Sequence, residues 1–246
     1  NWRFSMIGCK MGIVGSGGAG FDPLAMNWDI YYDSDNVLLS GSSVSSFVDL
    51  SSNSNNSTQA TTANQGTLIA IDASYNNLST VEVTGTDFYD LTNNITINRN
   101  GNRTIWWMGN NIVTASTFEF LYSTTSFSFI GYVRAAGVIN FVGNGSQWAN
   151  VTAINVTAPL INTITFTANG KMRFYQNGVL VNVSAADLNV SGAFTADRMF
   201  GTKTGSALNA KFHQFSSVER LLTINELNYL GDGFSQQLGT TWTPIV

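Results

Sequence analysis

Two short stretches carry side chains whose types and spacing suit chemistry. In "YYDSDN", Asp33, Asp35 and Asn36 bring two carboxylates and an amide close together. Calcium takes its oxygens from such loops, backbone carbonyls included. These three residues are therefore the candidate calcium ligands, and Asp87 and Asp90 of "TGTDFYD" form a lesser second group. The competing reading is that the aspartates cap turns, so calcium is a candidate and no cofactor is required. In "GNGSQWANVT", Trp148 follows the Gly143–Gly145 turn with Asn144 and Gln147 beside it. Sugars present apolar C–H faces and many hydroxyls, so an aromatic ring flanked by amides is a candidate glycan platform on a loop. The alternative is a Trp148 that closes one end of the core.

Catalytic constellations are missing from the pattern. A glycosidase of β architecture places carboxylates on alternate residues of one strand, where one acts as acid and another as base or nucleophile. The chain has four glutamates, Glu82, Glu119, Glu219 and Glu226, and none has an acidic residue two or four positions away. Glu119 in "TFEFLY" alternates with Phe118 and Phe120, as on the solvent face of an amphipathic strand. His213 is the lone histidine, no G-x-S-x-G elbow occurs, and one His with one Cys cannot build a zinc site. The expectation is a protein that is not an enzyme. Gly15, Gly17 and Gly20 match GxGxxG, but Phe21, Asp22 and Pro23 follow where a dinucleotide site needs a helix. Residues 1–22 read instead as a Gly-rich arm, able to dock into a larger assembly, and 23–246 as one domain.

Composition agrees. Of 246 residues, 43% are hydrophobic and only 11% charged, well below the roughly 25% usual in soluble domains. Asn, Ser and Thr fill the gap, and they disfavour helix interiors. The net charge of −4, with Lys and Arg scattered singly, argues against a nucleic-acid partner. No apolar run reaches the roughly 18 residues of a membrane span. A lone Cys9 cannot form an internal disulfide.

The elements that must position these residues are short strands. "NITINR", "RTIWWMG", "TFEFLY", "SFSFIGYV" and "GVINFVG" are β-rich pieces split by Asn- and Gly-rich turns. Asn169-Gly170 and Asn177-Gly178 suit type I′ turns and predict a three-stranded antiparallel meander. Trp106 and Trp107 are strand neighbours, so one of them faces the core. In "LLTINELNYLGDGF", Thr223 and Glu226 form a capping box, and Gly231 ends a helix of about two turns.

Three stretches together resemble a known family, the laminin-G-like or concanavalin A-like jelly rolls of bacteriophage structural and bacterial surface proteins. The first is "NWDIYYDSDNVLLSGSSVSSFVDLSSNSNNSTQAT", similar to a Trp-Leu-Asp-Ala strand and a Val-x-x-Trp-x-Asp-x-Ser-Gly-x-Gly-Asn segment ending in Thr-Gln. The second is the hairpin "MRFYQNGVLV", and the third is "KFHQFSSVERLLTINELNYLGDGFSQQLG", with an R-x-L-T-x-x-E-like helix. A tyrosine at 31 or 32 and Phe47 stand where the family has Trp, and Asn53-Ser54 replaces its Gly-bearing turn. The resemblance implies an all-β fold, a two-sheet antiparallel jelly-roll sandwich with one short C-terminal helix. It also implies that polar residues 53–65 are an ordered loop inside one domain rather than a linker.

The expectation for function is a non-enzymatic module on a virion or otherwise extracellular surface, such as a phage fibre, tail or capsid-decoration protein. It would attach to cell-surface glycans and meet other virion or surface proteins through its arm, as a homo-oligomer. The alternatives are a purely structural virion protein and a secreted bacterial adhesin.

Overall fold

The computed structural model describes residues 21–85, 87–98, 101–111, 118–123, 129–133, 139–143, 147–151, 158–184, 187, 192–201 and 209–246. Its first strands are β1 (Ile30–Asp33), β2 (Val37–Ser40), β3 (Ser43–Phe47), β4 (Ser57–Thr58), β5 (Thr67–Asp72) and β6 (Leu78–Val83). Then come β7 (Tyr89–Asn98), β8 (Arg103–Asn111), β9 (Phe118–Ser123), β10 (Phe129–Val133), β11 (Ile139–Gly143) and β12 (Gln147–Val151). The last are β13 (Leu160–Phe166), β14 (Met172–Gln176), β15 (Val179–Val183), β16 (Ala193–Met199) and β17 (Ala210–Val218), before helix α1 (Ile224–Leu238).

All pairings among these strands are antiparallel, and they build a two-sheet sandwich. In the first sheet β17 lies at the centre. It pairs β8 along its length, and on its other side β6 meets Ala210–Phe212 while β1 meets Gln214–Ser217. Beyond β8 the order continues through β13, β14 and β15. The second sheet runs β2, β3, β4, β7, β16, β9, β10, β11 and β12. Outside β6 in the first sheet lies β5, and among the described residues one pair, Ser43 with Thr67 of β5, joins the sheets at a corner.

Aromatic residues fill the space between the sheets. Phe47 stacks on Phe212 at 5.5 Å and meets Tyr89 edge-on at 4.7 Å, and Phe200 lies 4.6 Å from Phe212. Such pairs add to the burial of their own large surfaces. A second core lies on the outer face of the first sheet, under α1. There Trp106 packs 5.5 Å from Trp242 and 5.9 Å from Phe234, with Trp28 and Tyr75 fully buried nearby. Both members of the Trp106-Trp107 pair are thus covered, because this sheet has an apolar layer on each face. Trp107 turns the other way, toward Phe174.

The meander of β13, β14 and β15 forms, with Gln176 opposite Val179 as the second turn requires, but Phe166 pairs Met172, one residue off the register that a two-residue turn at Asn169-Gly170 would give. Its two Asn-Gly turns differ. Asn177 and Gly178 both have positive φ, 47° and 83°, as a type I′ turn demands. At the other turn only Asn169 is positive, within a longer connection where Thr167 N–H donates to the Lys171 carbonyl.

The helix begins as its sequence indicates. Thr223 Oγ1 accepts the Glu226 N–H, and Glu226 accepts the Thr223 N–H in return. It does not end at Gly231. It continues for 15 residues to Leu238, with Gly239 as the left-handed cap at φ 70°. Gly231 and Gly233 are contact sites rather than stops. A Cβ on Gly231 would lie 2.1 Å from the Trp242 ring, and one on Gly233 2.3 Å from the Phe21 ring. Phe21 is also 5.0 Å from Phe234, and the Asp22 N–H donates to the Tyr229 hydroxyl. No helix among the described residues is long and apolar enough to cross a membrane.

Two predictions follow from α1. Alanine is the better helix former by roughly 1 kcal/mol, yet Gly231→Ala drives a methyl into the Trp242 ring. A net loss of about 2 kcal/mol is expected, read as a lower denaturant midpoint; an unchanged or raised midpoint contradicts the packing. Glu226 accepts from both Arg220 guanidinium nitrogens, at 2.7 and 2.9 Å, and this holds its carboxyl down to about 2. A depressed carboxyl stabilises the fold above its unfolded value and loses that effect as pH falls from about 4.5 toward about 2. Glu226→Gln should cost about 1 kcal/mol at neutral pH, with the gap in Tm closing over that window.

Candidate functional site

The polar stretch after β3 is ordered by a buried carboxylate. Asp49, 5% exposed, accepts the N–H groups of Tyr31 (2.9 Å), Ser51 (2.9 Å) and Asn55 (2.7 Å) and the Ser51 hydroxyl (2.8 Å). Its own N–H donates to Asn56 Oδ1 at 2.9 Å. Four bonds to one carboxylate explain why a run of Ser and Asn adopts a single path here. The chain then bends at Ser54, whose φ of 51° stands where the resembled family places a Gly-bearing turn. Asn55 is buried and acts like one residue of a strand: its side chain accepts the Asn93 N–H at 2.8 Å and donates to the Asn93 carbonyl at 2.7 Å. Residues 53–65 are therefore part of the domain, and they contain β4 and one 3₁₀ turn.

Asn55 meets β7 at an irregularity. Asp90 pairs Arg198 and Ile95 pairs Ala196, so Leu91 to Asn94 stand opposite Asp197 alone. The extra residues swing away from β16, and Leu91 pairs β4 instead. Bulges of this kind re-aim side chains at the rim of a sheet. Here they carry Asn93 and Asn94 toward the Asn53–Asn55 loop.

Between these two segments lies a cleft of about 260 Å³ whose wall also includes Asp29 and Glu219. The register of β1 on β17, with Ile30 opposite Ser217, brings these two carboxylates together across 190 residues of sequence. Arg103, at the start of β8, lies against both. Its side chain is 3% exposed, with Nη1 3.4 Å from Asp29 Oδ2 and 3.0 Å from Ser217 Oγ, and Nη2 3.6 Å from Glu219 Oε2. Glu219 also accepts from Asn98 Nδ2. Burial pushes the Asp29 carboxyl above the ordinary aspartate value, against the pull of Arg103, and the Glu219 charge pushes the same way. Asp29 is further fixed through its backbone, since its carbonyl accepts from Asn53 Nδ2 at 3.1 Å. The cleft is thus lined by amides, carboxylates and one hydroxyl, with Ile95 as its apolar member.

The sequence-derived metal candidates fall elsewhere. Asp33 and Asp35 gather with His213, and one ligand atom from each lies within 4.8 Å of the others. Asn36 is exposed, and its N–H closes the turn on the Asp33 carbonyl at 3.0 Å. His213 sits at a bulge in β17, between Phe212 and Gln214, and is 4% exposed. Its Nδ1 is 2.8 Å from both Ser34 Oγ and the Ser79 carbonyl. Burial raises the Asp33 carboxyl, and the facing imidazole offsets part of that. Two carboxylates with an imidazole form a mixed oxygen and nitrogen donor set, unlike the all-oxygen set that calcium prefers.

Of the glycan candidates, Gln147 and Trp148 open β12 opposite Gly143 and Val142. Their side chains, and the whole of Asn144, lie outside the described residues, as do the Glu119 side chain and residues 1–20. Asp29, Asn53, Asn55, Asn93 and Glu219 were not singled out by motif. The only local hint was the density of Asn at 53–56 and 93–94, since the carboxylate pair exists only once β1 docks on β17.

No protein-family model and no curated protein matches the sequence. Solved structures do match in shape. The botulinum neurotoxin serotype D binding domain, in complex with N-acetylneuraminic acid, is 14% identical with a TM-score of 0.60, covering 86% of this chain and 53% of that one. The binding domain of Paraclostridial Mosquitocidal Protein 1 is 12% identical with a TM-score of 0.58, over 88% and 56%. Trypanosoma rangeli sialidase, in complex with sialic acid, is 11% identical with a TM-score of 0.54, over 91% and 35%. The chain spans about half the length of the toxin domains and about a third of the sialidase. These likenesses show the fold, an antiparallel β sandwich.

The loop makes its own prediction. Asp49→Asn keeps the size but turns one acceptor oxygen into a donor facing N–H groups. It should cost about 3 kcal/mol, and amide exchange should rise first at Ser51 and Asn55. Uniform loss of protection instead would mean that Asp49 does not control the loop locally.

Proposed function

We propose that this chain is an extracellular carbohydrate-binding module that attaches the surface displaying it to glycans and performs no catalysis itself. The observation that carries the reading is the cleft, where amides, carboxylates and a hydroxyl converge on a rigid sandwich. Hydroxyl-rich ligands need both donors and acceptors at fixed positions, and side chains held on strands and by Asn55 supply them. Two of the structural neighbours were solved with sialic acid or N-acetylneuraminic acid, which supports a sugar-binding use of this fold by analogy. The low charge content and the resemblance to phage and bacterial surface jelly rolls favour display on a virion or cell surface.

The non-catalytic part of the reading rests on the locked geometry of Asp29 and Glu219. Arg103 lies against both carboxylates and Glu219 also accepts from Asn98, and the reading assigns both groups to accepting ligand hydroxyls rather than to acid or nucleophile.

The test is binding of the labelled, folded protein to a broad glycan array, with calcium or manganese added and then with EDTA. Specific binding without release of cleaved sugar is the expected result. A blank array, or product release, overturns the reading. Loss of binding in EDTA would make Asp33, Asp35 and His213 the candidate ligands for an ion.

A further inference from the structure

We propose that the cleft between Asp29, Glu219 and Asn94 holds one neutral sugar ring and rejects sialic acid and other acidic sugars. This inference rests on the carbohydrate-binding reading and names the sugar class and the subsite.

The charge balance is the first argument. Two carboxylates face the cleft, and Arg103 is the guanidinium beside them, so the group carries a net formal charge of −1. Arg103 is also shielded from the cleft. Its side chain is 3% exposed and points its Nη atoms at Asp29, Ser217 and Glu219. An incoming carboxylate would meet acceptors rather than a free cation, and like charges at such range cost affinity. A hydroxyl, by contrast, donates to either carboxylate, and hydrogen bonds to charged groups are the strong ones.

The second argument is the set of unused polar atoms. The side chains of Asn93, Asn94 and Thr96 are exposed and make no hydrogen bond among the described residues. Between them they offer donors and acceptors, the mixture that vicinal hydroxyls require. Arg103 Nε and Nη2 are buried without a hydrogen bond, which is uncommon enough to need a reason. Glu219 Oε2 stands 3.6 Å from Nη2, slightly too far to accept from it. The unmet Nη2 donor thus faces a carboxylate of the cleft wall, and a small shift of Glu219 would complete that pair.

Size is the third argument. A volume of about 260 Å³ falls below the roughly 300–1,000 Å³ of pockets that enclose drug-sized ligands, and suits one ring with its neighbours left in solvent. Ile95 is the one apolar side chain available to the ring's C–H face.

Saturation-transfer NMR with galactose, mannose, N-acetylglucosamine and N-acetylneuraminic acid, each at the same concentration, tests the proposal on the full chain. The array used for the parent reading is repeated with Asn94→Ala, Thr96→Ala and Glu219→Gln. The two surface variants alter side chains that bond nothing else, so they report on binding without a folding defect. Signal from at least one neutral sugar, none from N-acetylneuraminic acid, and about tenfold or greater weakening in Glu219→Gln and in a surface variant is the expected result. Glycan binding that survives all three variants, or that is confined to sialylated glycans, overturns the subsite while leaving the carbohydrate reading standing. Absence of binding to every sugar overturns both.

Discussion

The buried carboxylate of Asp49 is the constraint on which the cleft-bearing end of this molecule depends. A charge with little solvent is costly unless it is fully hydrogen-bonded, and Asp49 meets that demand by collecting donors from β1 and from the loop that follows it. The same bonds fix where Asn53 and Asn55 emerge. Asn55 then grips both backbone groups of Asn93, and Asn53 grips the Asp29 carbonyl. Remove the carboxylate and the wall of the cleft has no fixed position.

Other described segments repeat this solution. Gln59 donates to the Phe88 carbonyl and Gln65 to the Gln59 carbonyl, both inside the protein. Asp72 accepts from Ser74, Thr80 and Lys211, and those bonds hold its carboxyl below the ordinary range against its burial. A protein with only 11% charged residues orders its irregular segments through side-chain amides and a few buried acids. The cost of such a design is specificity of position: each amide works only where its partner backbone stands.

Two apolar layers supply the rigidity. The sheet containing β17 and β8 is covered on both faces, by the facing sheet and by α1. Arg103, Asp29 and Glu219 lie at one end of this doubly covered sheet, so the floor of the cleft rests on strands packed from both faces. Helix α1 can approach so closely because Gly231 and Gly233 leave room for Trp242 and Phe21. This is why two residues that disfavour helices stand in the middle of one.

Local pattern determined much of the architecture. Alternation marked the strands, Asn177-Gly178 marked a tight turn, and Thr223 with Glu226 marked the helix start, because each depends on neighbours within a few residues. The helix end was misjudged for the converse reason: whether Gly231 stops a helix or admits a ring depends on Trp242, packed from outside the helix. Asp33 and Asp35 were legible as a pair, but His213 joins them only through β17, and it changes the ligand set from all-oxygen to mixed. The pair Asp29 and Glu219, separated by 190 residues, was illegible altogether. Sequence by itself determined the β class, the low charge and the hairpins, since these are properties of short segments and sums. Tertiary structure alone decided which carboxylates face each other and what lies beneath them, since a strand's register on a distant partner is set by the packing of the whole core.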